Sequence, residues 1–277
     1  MRAVSAAFHS IRRPTDGYDV NDRDRLEHLH LDFSAAEIGA WALKEKADDE
    51  VLSRILSFVD TIAAKADLKA QEMMTRLSRL PQKDPKLFSS FDTTRLPDDS
   101  RKAVSSLETL SFIPASRNII MVGPTGTGKT HLAEAIGNEC CRRRMRTYFV
   151  KMQELKDRFR SSIISGNAGR LLSGFLKYQC IIIDEVGYCT LDKDETRLFF
   201  QMVDRLSTRG SGSVILTSNR DVSDWSEFFS DMDALECALD RLCDNAICIS
   251  FSGESYRGRG RTTVSLDFTN PIIRMGN

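Results

Sequence analysis

Residues 123–130 read Gly123-Pro124-Thr125-Gly126-Thr127-Gly128-Lys129-Thr130, the spacing G-x-x-x-x-G-K-T. Glycines at 126 and 128 open backbone conformations closed to residues with a Cβ, so successive N–H groups can turn inward as a nest for an anion. A helix starting near Lys129 adds its positive dipole end. Lys129 supplies a cation for the β- and γ-phosphates of a nucleoside triphosphate, and the Thr130 hydroxyl is a ligand for Mg²⁺. His131 closes the segment. Helix geometry turns its side chain away from the phosphates, so it is read as a packing or surface residue at the rim of the cofactor-binding stretch rather than as a catalyst.

Cys180-Ile181-Ile182-Ile183 runs straight into Asp184-Glu185. An apolar run of this kind reads as a central strand, with both carboxylates at its C-terminal edge, where ligands bind in open α/β sheets. Asp184 is placed to hold Mg²⁺ through water. Glu185 can polarise a water for in-line attack on the γ-phosphorus. A kinase transferring phosphate to a bound acceptor needs no such water, so the pair favours hydrolysis of ATP over transfer. Val214-Ile215-Leu216-Thr217-Ser218-Asn219 is a further apolar run with a polar end. Asn219 is the candidate contact to the attacking water or γ-phosphate, with Thr217 and Ser218 behind it; a turn or cap role for Asn219 is the alternative. Arg241, late in a helical stretch, is placed to reach a neighbouring subunit's nucleotide, with Arg220 the lesser candidate. A salt bridge from Arg241 to Asp240 or Asp244 is the competing role.

The elements that must position these groups follow from the apolar pattern. Runs at Asn118–Val122, Thr147–Met152, Cys180–Asp184, Ser213–Thr217 and Ala246–Phe251 alternate with stretches long enough for helices. That alternation predicts an α/β fold with a largely parallel sheet buried on both faces. The segment from about 34 to 80 reads as helical instead. Ser34 and Glu37 have capping-box spacing, and Leu52, Ile55, Leu56, Val59, Ile62 and Ala63, then Ala70, Met73, Met74 and Leu77, recur at three- and four-residue steps. Pro81, Pro85 and Pro97 mark a linker. His28 and His30 lack a third ligand nearby and read as a surface pair.

The composition is that of a folded globular chain: 277 residues, 41% apolar and 28% charged. Lys plus Arg and Asp plus Glu both number 39, so any DNA contact must come from local patches rather than net charge. No apolar run reaches the length of a membrane span. The cysteines are seven, none in C-x-x-C spacing, which disfavours a disulfide framework or zinc site and fits the reducing cytoplasm. The first twenty residues loosely resemble a transit peptide but read as a flexible tail, since Asp16 and Asp19 soon follow.

Taken in order, these stretches resemble the AAA+ ATPases of the initiator and helicase-loader branch, and within it the IstB-like helper ATPases of bacterial insertion sequences. The match rests on Gly123–Gly137, Ile181–Tyr188, Leu198–Gln201, Leu216–Arg220, Trp225 with Phe228 and Phe229 before Asp231, Ala238–Leu242, Gly253–Arg257, and the pair Phe91-Asp92. The first third matches only in being helical. The resemblance implies a P-loop NTPase with a parallel five-stranded AAA+ core sheet, preceded by a small helical N-terminal domain. The expected layout is an extension over 1–25, a helical domain over 26–86, a linker over 87–111, the ATPase core over 112–251 and a basic tail over 252–277. It further implies ATP and Mg²⁺ as cofactors, Asn219 as a sensor, Arg241 as a trans-acting arginine, self-association into a ring or spiral, engagement of DNA, and a transposase or other recombinase as partner. Lys156, Arg158 and Arg160 are the DNA candidates, beside the basic run Arg142-Arg143-Arg144. A replicative helicase loader and a small-molecule kinase are the alternatives.

Overall fold

The computed structural model describes residues 40–252, except 42, 43, 47, 95–97 and 245. The expected cap at Ser34 and Glu37, the His28–His30 pair, the N-terminal extension and the Gly253–Arg257 stretch lie outside the described residues. The chain divides into two compact units, one holding residues up to Arg76 together with Arg142–Arg144, the other Leu77–Cys141 and the residues from Met145 on.

The first unit is built on α1 (Asp49–Ser78). The two periodic runs of the sequence are one continuous helix, because the residues between them are helix formers with no Gly or Pro. Asp48 caps it by accepting from the backbone N–H of Val51 at 2.8 Å. It ends where Arg79 turns left-handed (φ +64), two residues before Pro81.

The second unit starts with a short 3₁₀ turn at Phe88–Ser90 and α2 (Asp98–Leu107). Then strands and helices alternate: β1 (Ile119–Val122), α3 (Lys129–Arg142), β2 (Thr147–Lys151), α4 (Met152–Ile164), α5 (Ala168–Phe175), β3 (Cys180–Val186), α6 (Lys193–Thr208), β4 (Ser213–Ser218), α7 (Met232–Cys243) and β5 (Ile247–Ser250). The five strands form one sheet in the order β2-β3-β4-β1-β5, and every pairing is parallel. Each strand lies within a few residues of the apolar run that predicts it.

Strand alternation assigns the two faces. Ile120, Ile181, Ile183, Val214 and Leu216 share a buried cluster with Phe159 of α4, Phe175 of α5, Phe199 of α6 and Leu242 of α7. Ile119, Met121, Ile182 and Ile215 point the other way, and Ile182 meets α3. There Gly137 lets the helix approach so closely that a Cβ would sit 2.8 Å from Ile182 Cδ1. With both faces covered, trimming one such isoleucine to alanine costs about 2–5 kcal/mol. Parallel pairing puts the C-terminal ends of all five strands on one edge of the sheet, and the loops that leave β1, β3 and β4 meet there. Among the described residues no helix is long and apolar enough to cross a membrane.

Candidate functional site

The loop between β1 and α3 is a closed, internally bonded turn. Gly126 and Gly128 hold φ of +83 and +103. Thr127 Oγ1 donates to the Pro124 carbonyl at 2.8 Å. Lys129 is buried, and its Nζ donates to the carbonyls of Gly123 and Pro124 at 2.6 and 2.7 Å. The ammonium is thereby held on the loop at the first turn of a 14-residue helix. Gly123 is fixed by a separate constraint. Its φ is +142, and a Cβ there would lie 2.2 Å from the carbonyl oxygen of Phe251, just past β5. The loop thus leaves β1 in a direction open only to glycine.

Asp184 lies in β3 at that same edge and is 1% exposed. Its Oδ1 accepts from Thr130 Oγ1 at 2.8 Å and from Thr217 Oγ1 at 2.5 Å. Two oxygen donors, one from α3 and one from β3, converge on one point. That donor set fits Mg²⁺, a hard cation that takes oxygen ligands, and the nest above Lys129 fits a phosphate anion. The residues present therefore suit a magnesium–triphosphate pair.

Glu185 follows in a strained conformation. Its φ is +63, and the pairing of β3 with β4 slips between Ile183 and Val186. A non-glycine residue in this region is uncommon, and such strain clusters at functional positions. Thr217 holds the kink, since its Oγ1 accepts from the Glu185 N–H at 3.1 Å. The Glu185 carboxylate is half-exposed and meets Lys151 Nζ, the last residue of β2, at 3.1 Å.

The remaining candidates divide. Asn219 follows β4 at the same edge as the loop and is exposed; the residue of β4 that touches Asp184 is Thr217. His131 packs against the 3₁₀ turn at Phe88–Ser90 and the residue after it. It meets Phe91 edge-on at 5.5 Å between centroids and Ser90 Oγ at 3.1 Å, and burial lowers its pKa. Phe91, Ser90 and His131 line, together with Gly126, Gly128, Lys129 and Thr130, a cavity of about 450 Å³.

Arg241 lies at the opposite edge of the sheet. The carbonyl of its neighbour Leu242 accepts from Asn118 Nδ2 at 3.2 Å, and Asn118 immediately precedes β1. Arg241 Nε donates to Asp204 of α6 at 2.6 Å, and the guanidinium lies 5.2 Å over the Phe200 ring. Its ion-pair partner is thus Asp204, rather than Asp240 or Asp244. From this edge it cannot serve the cradle of its own chain.

The DNA candidates of α4 are engaged within the fold. Arg160 pairs with the fully buried Glu195 at 3.0 Å, and Lys156 Nζ donates to the Thr190 carbonyl at 2.5 Å. Arg158 bonds Glu154 at 3.1 Å and lies over Tyr148 at 5.5 Å. Sequence reasoning passed over three residues of the site: Thr217 as a direct partner of Asp184, Lys151 as the partner of Glu185, and Glu134, buried one turn after Thr130. The i, i+4 spacing from Thr130 was the available signal for Glu134.

The chain matches the family model described as IstB-like ATP binding protein over residues 25–264. The insertion sequence IS232 putative ATP-binding protein of Bacillus thuringiensis subsp. berliner is 32% identical, across 84% of this chain and 92% of its own length. The IS5376 putative ATP-binding protein of Geobacillus stearothermophilus is 33% identical, across 83% and 91%. Among solved structures, AMPPCP-bound DnaA from Aquifex aeolicus is similar in fold, with a TM-score of 0.51 at 20% identity over 61% of this chain; this chain spans only 51% of it. The DnaC helicase loader aligns with a TM-score of 0.50 at 17% identity, over 60% of this chain and 97% of that one. The five-stranded parallel core is that of a P-loop AAA+ domain, and by a family match that begins before α1 and ends beyond β5, this chain belongs to the IstB-like ATP binding proteins.

Proposed function

We propose that the protein hydrolyses ATP as the DNA-engaging helper of a transposase in the cytoplasm, with ATP-bound copies assembled on target DNA and hydrolysis resetting them. The observation that carries this reading is the single acidic point at the sheet edge. Asp184 meets the metal-ligand hydroxyl of Thr130, and the strained Glu185 stands beside it. The insertion-sequence names of the relatives support the transposase partner.

The residues divide the work. The loop amides and Lys129 bind the β- and γ-phosphates, which requires the ammonium to exchange carbonyl partners for phosphate oxygens. Thr130 and Asp184 hold Mg²⁺, which supplies charge neutralisation at the phosphates when bound. Glu185 accepts the proton of the attacking water. The aromatic pair lining the cavity, Phe91 with His131, suits the flat face of a purine. Arg241 completes the site of an adjacent copy, and Asn219 orients the γ-phosphate or the water.

A second reading is a replicative helicase loader, favoured by the near-complete coverage of the DnaC structure. A recombinase encoded next to this chain supports the helper, and a replicative helicase supports the loader. The direct test is ATP turnover with and without duplex DNA, read alongside particle size. DNA-stimulated turnover by large assemblies is expected; a chain that stays monomeric with ATP and DNA, and turns over no ATP, overturns the proposal.

A further inference from the structure

Beyond Thr130, α3 carries a carboxylate with no partner. Glu134 lies four residues on, so both side chains leave the same face of the helix. It is 7% exposed. Among the described residues it makes no hydrogen bond or ion pair. It lines the same cavity as Gly126, Gly128, Lys129 and Thr130. The enclosed side-chain polar atoms without a partner among the described residues are Ser116 Oγ and Trp225 Nε1, so the unpaired carboxylate of Glu134 opens onto the cavity instead. A purely structural position one turn into this helix would be filled at less cost by an apolar side chain.

The charges around it narrow the role. Burial first, and the Asp184 carboxylate second, push Glu134 up to about 7; Asp84 acts in the same sense, and Lys86 and Lys151 oppose it. A nucleotide brings more negative charge into the same cavity. Lys129 is committed to the phosphates and Lys86 lies at the cavity wall, while Glu134 lines the cavity and Asp184 bonds Thr130 behind it, so a phosphate chain without a divalent cation meets the field of both carboxylates.

We propose that Glu134 makes nucleotide binding depend on the divalent cation, as an outer carboxylate on the Mg²⁺ side of the cavity that rejects metal-free nucleotide. This rests on the ATP-binding role proposed for the site. Two carboxylates on one side of a phosphate chain tolerate the chain when a divalent cation stands between them, and repel it when none does. Glu134 then restricts the site to the complexed nucleotide, while Thr130 and Asp184 remain the direct ligands.

The test is equilibrium binding of a fluorescent ATP analogue to the full chain at pH 8, where Glu134 is ionised, in excess Mg²⁺ and in EDTA. The ratio of the two dissociation constants is the readout. In the wild type, removal of Mg²⁺ weakens binding. Glu134→Gln and Glu134→Ala are expected to shrink that ratio about tenfold, chiefly by tightening the metal-free complex, as one unit of charge at short range in a partly buried site implies. Glu134→Asp keeps the wild-type ratio. Ratios within twofold of wild type in both neutral variants overturn this proposal alone. A wild type that binds no nucleotide in either buffer overturns it together with the function on which it rests.

Discussion

Lys151 Nζ stands 3.1 Å from the carboxylate of Glu185, so the end of β2 holds the group at the kinked end of β3. An ammonium at that distance occupies carboxylate oxygens that would otherwise hold a water. On the proposed function, this pairing holds Glu185 off the attacking water. Lys151→Ala is expected to raise basal ATP turnover several-fold without tightening nucleotide binding. Turnover equal to or below wild type would show that the pair orients Glu185 rather than restraining it.

Glu185→Gln keeps the kink and the hydrogen bond from its N–H to Thr217, since both are made by backbone. Nucleotide affinity should remain within about threefold of wild type, while steady-state turnover falls by about 10² or more, the size of a lost general base. Binding by fluorescence and turnover by phosphate release separate the two effects.

Arg241 serves a neighbour or nothing, because its own cradle lies at the far edge of the sheet. Lys129→Ala and Arg241→Ala should each abolish turnover alone. Mixed in equal amounts, they regain part of it, because some junctions then combine an intact cradle with an intact arginine. No recovery on mixing would remove Arg241 from catalysis.

Glu134 makes the nucleotide-free protein sensitive to pH. Its pKa is raised from 4.5 to about 7 on folding, so the folded state holds a proton that the unfolded chain releases. The associated stability is fully present below about pH 4.5 and is lost as pH rises through about 7, on the order of 3 kcal/mol. Glu134→Gln lacks this dependence. Melting temperatures of the two proteins should therefore converge near pH 5 and separate by pH 8, with the variant higher.

Arg160 and Lys156 differ as tests of DNA contact. Arg160→Ala leaves the fully buried carboxylate of Glu195 with only the Asp192 N–H as partner and should lower stability by about 1–3 kcal/mol in denaturant titrations. Lys156→Ala removes a bond to an exposed loop and should cost less than about 1 kcal/mol. Weakened DNA binding in Arg160→Ala therefore reports on α6 packing before it reports on DNA.

Much of this architecture was legible in the sequence. Strands buried on both faces are continuous apolar runs, so their limits could be read to within a few residues, and a phosphate loop followed by Asp184-Glu185 leaves little freedom in where the acids must lie. The same two-sided burial hid the role of Thr217. With no alternation along β4, nothing distinguishes the side chain that faces Asp184 from its neighbours. The kink at Glu185 was also invisible, because it is imposed by the register between β3 and β4. The partners of Lys151, Lys156 and Arg160 come from elements some 34 residues away in sequence, and charge alone could not choose them.

The placement of the phosphate cradle and Arg241 on opposite rims of one sheet gives each copy of the chain a direction. On the proposed trans role of Arg241, a head-to-tail array uses both rims of every copy, one giving a guanidinium and the other receiving one, so a single damaged copy spoils the junction on either side of it.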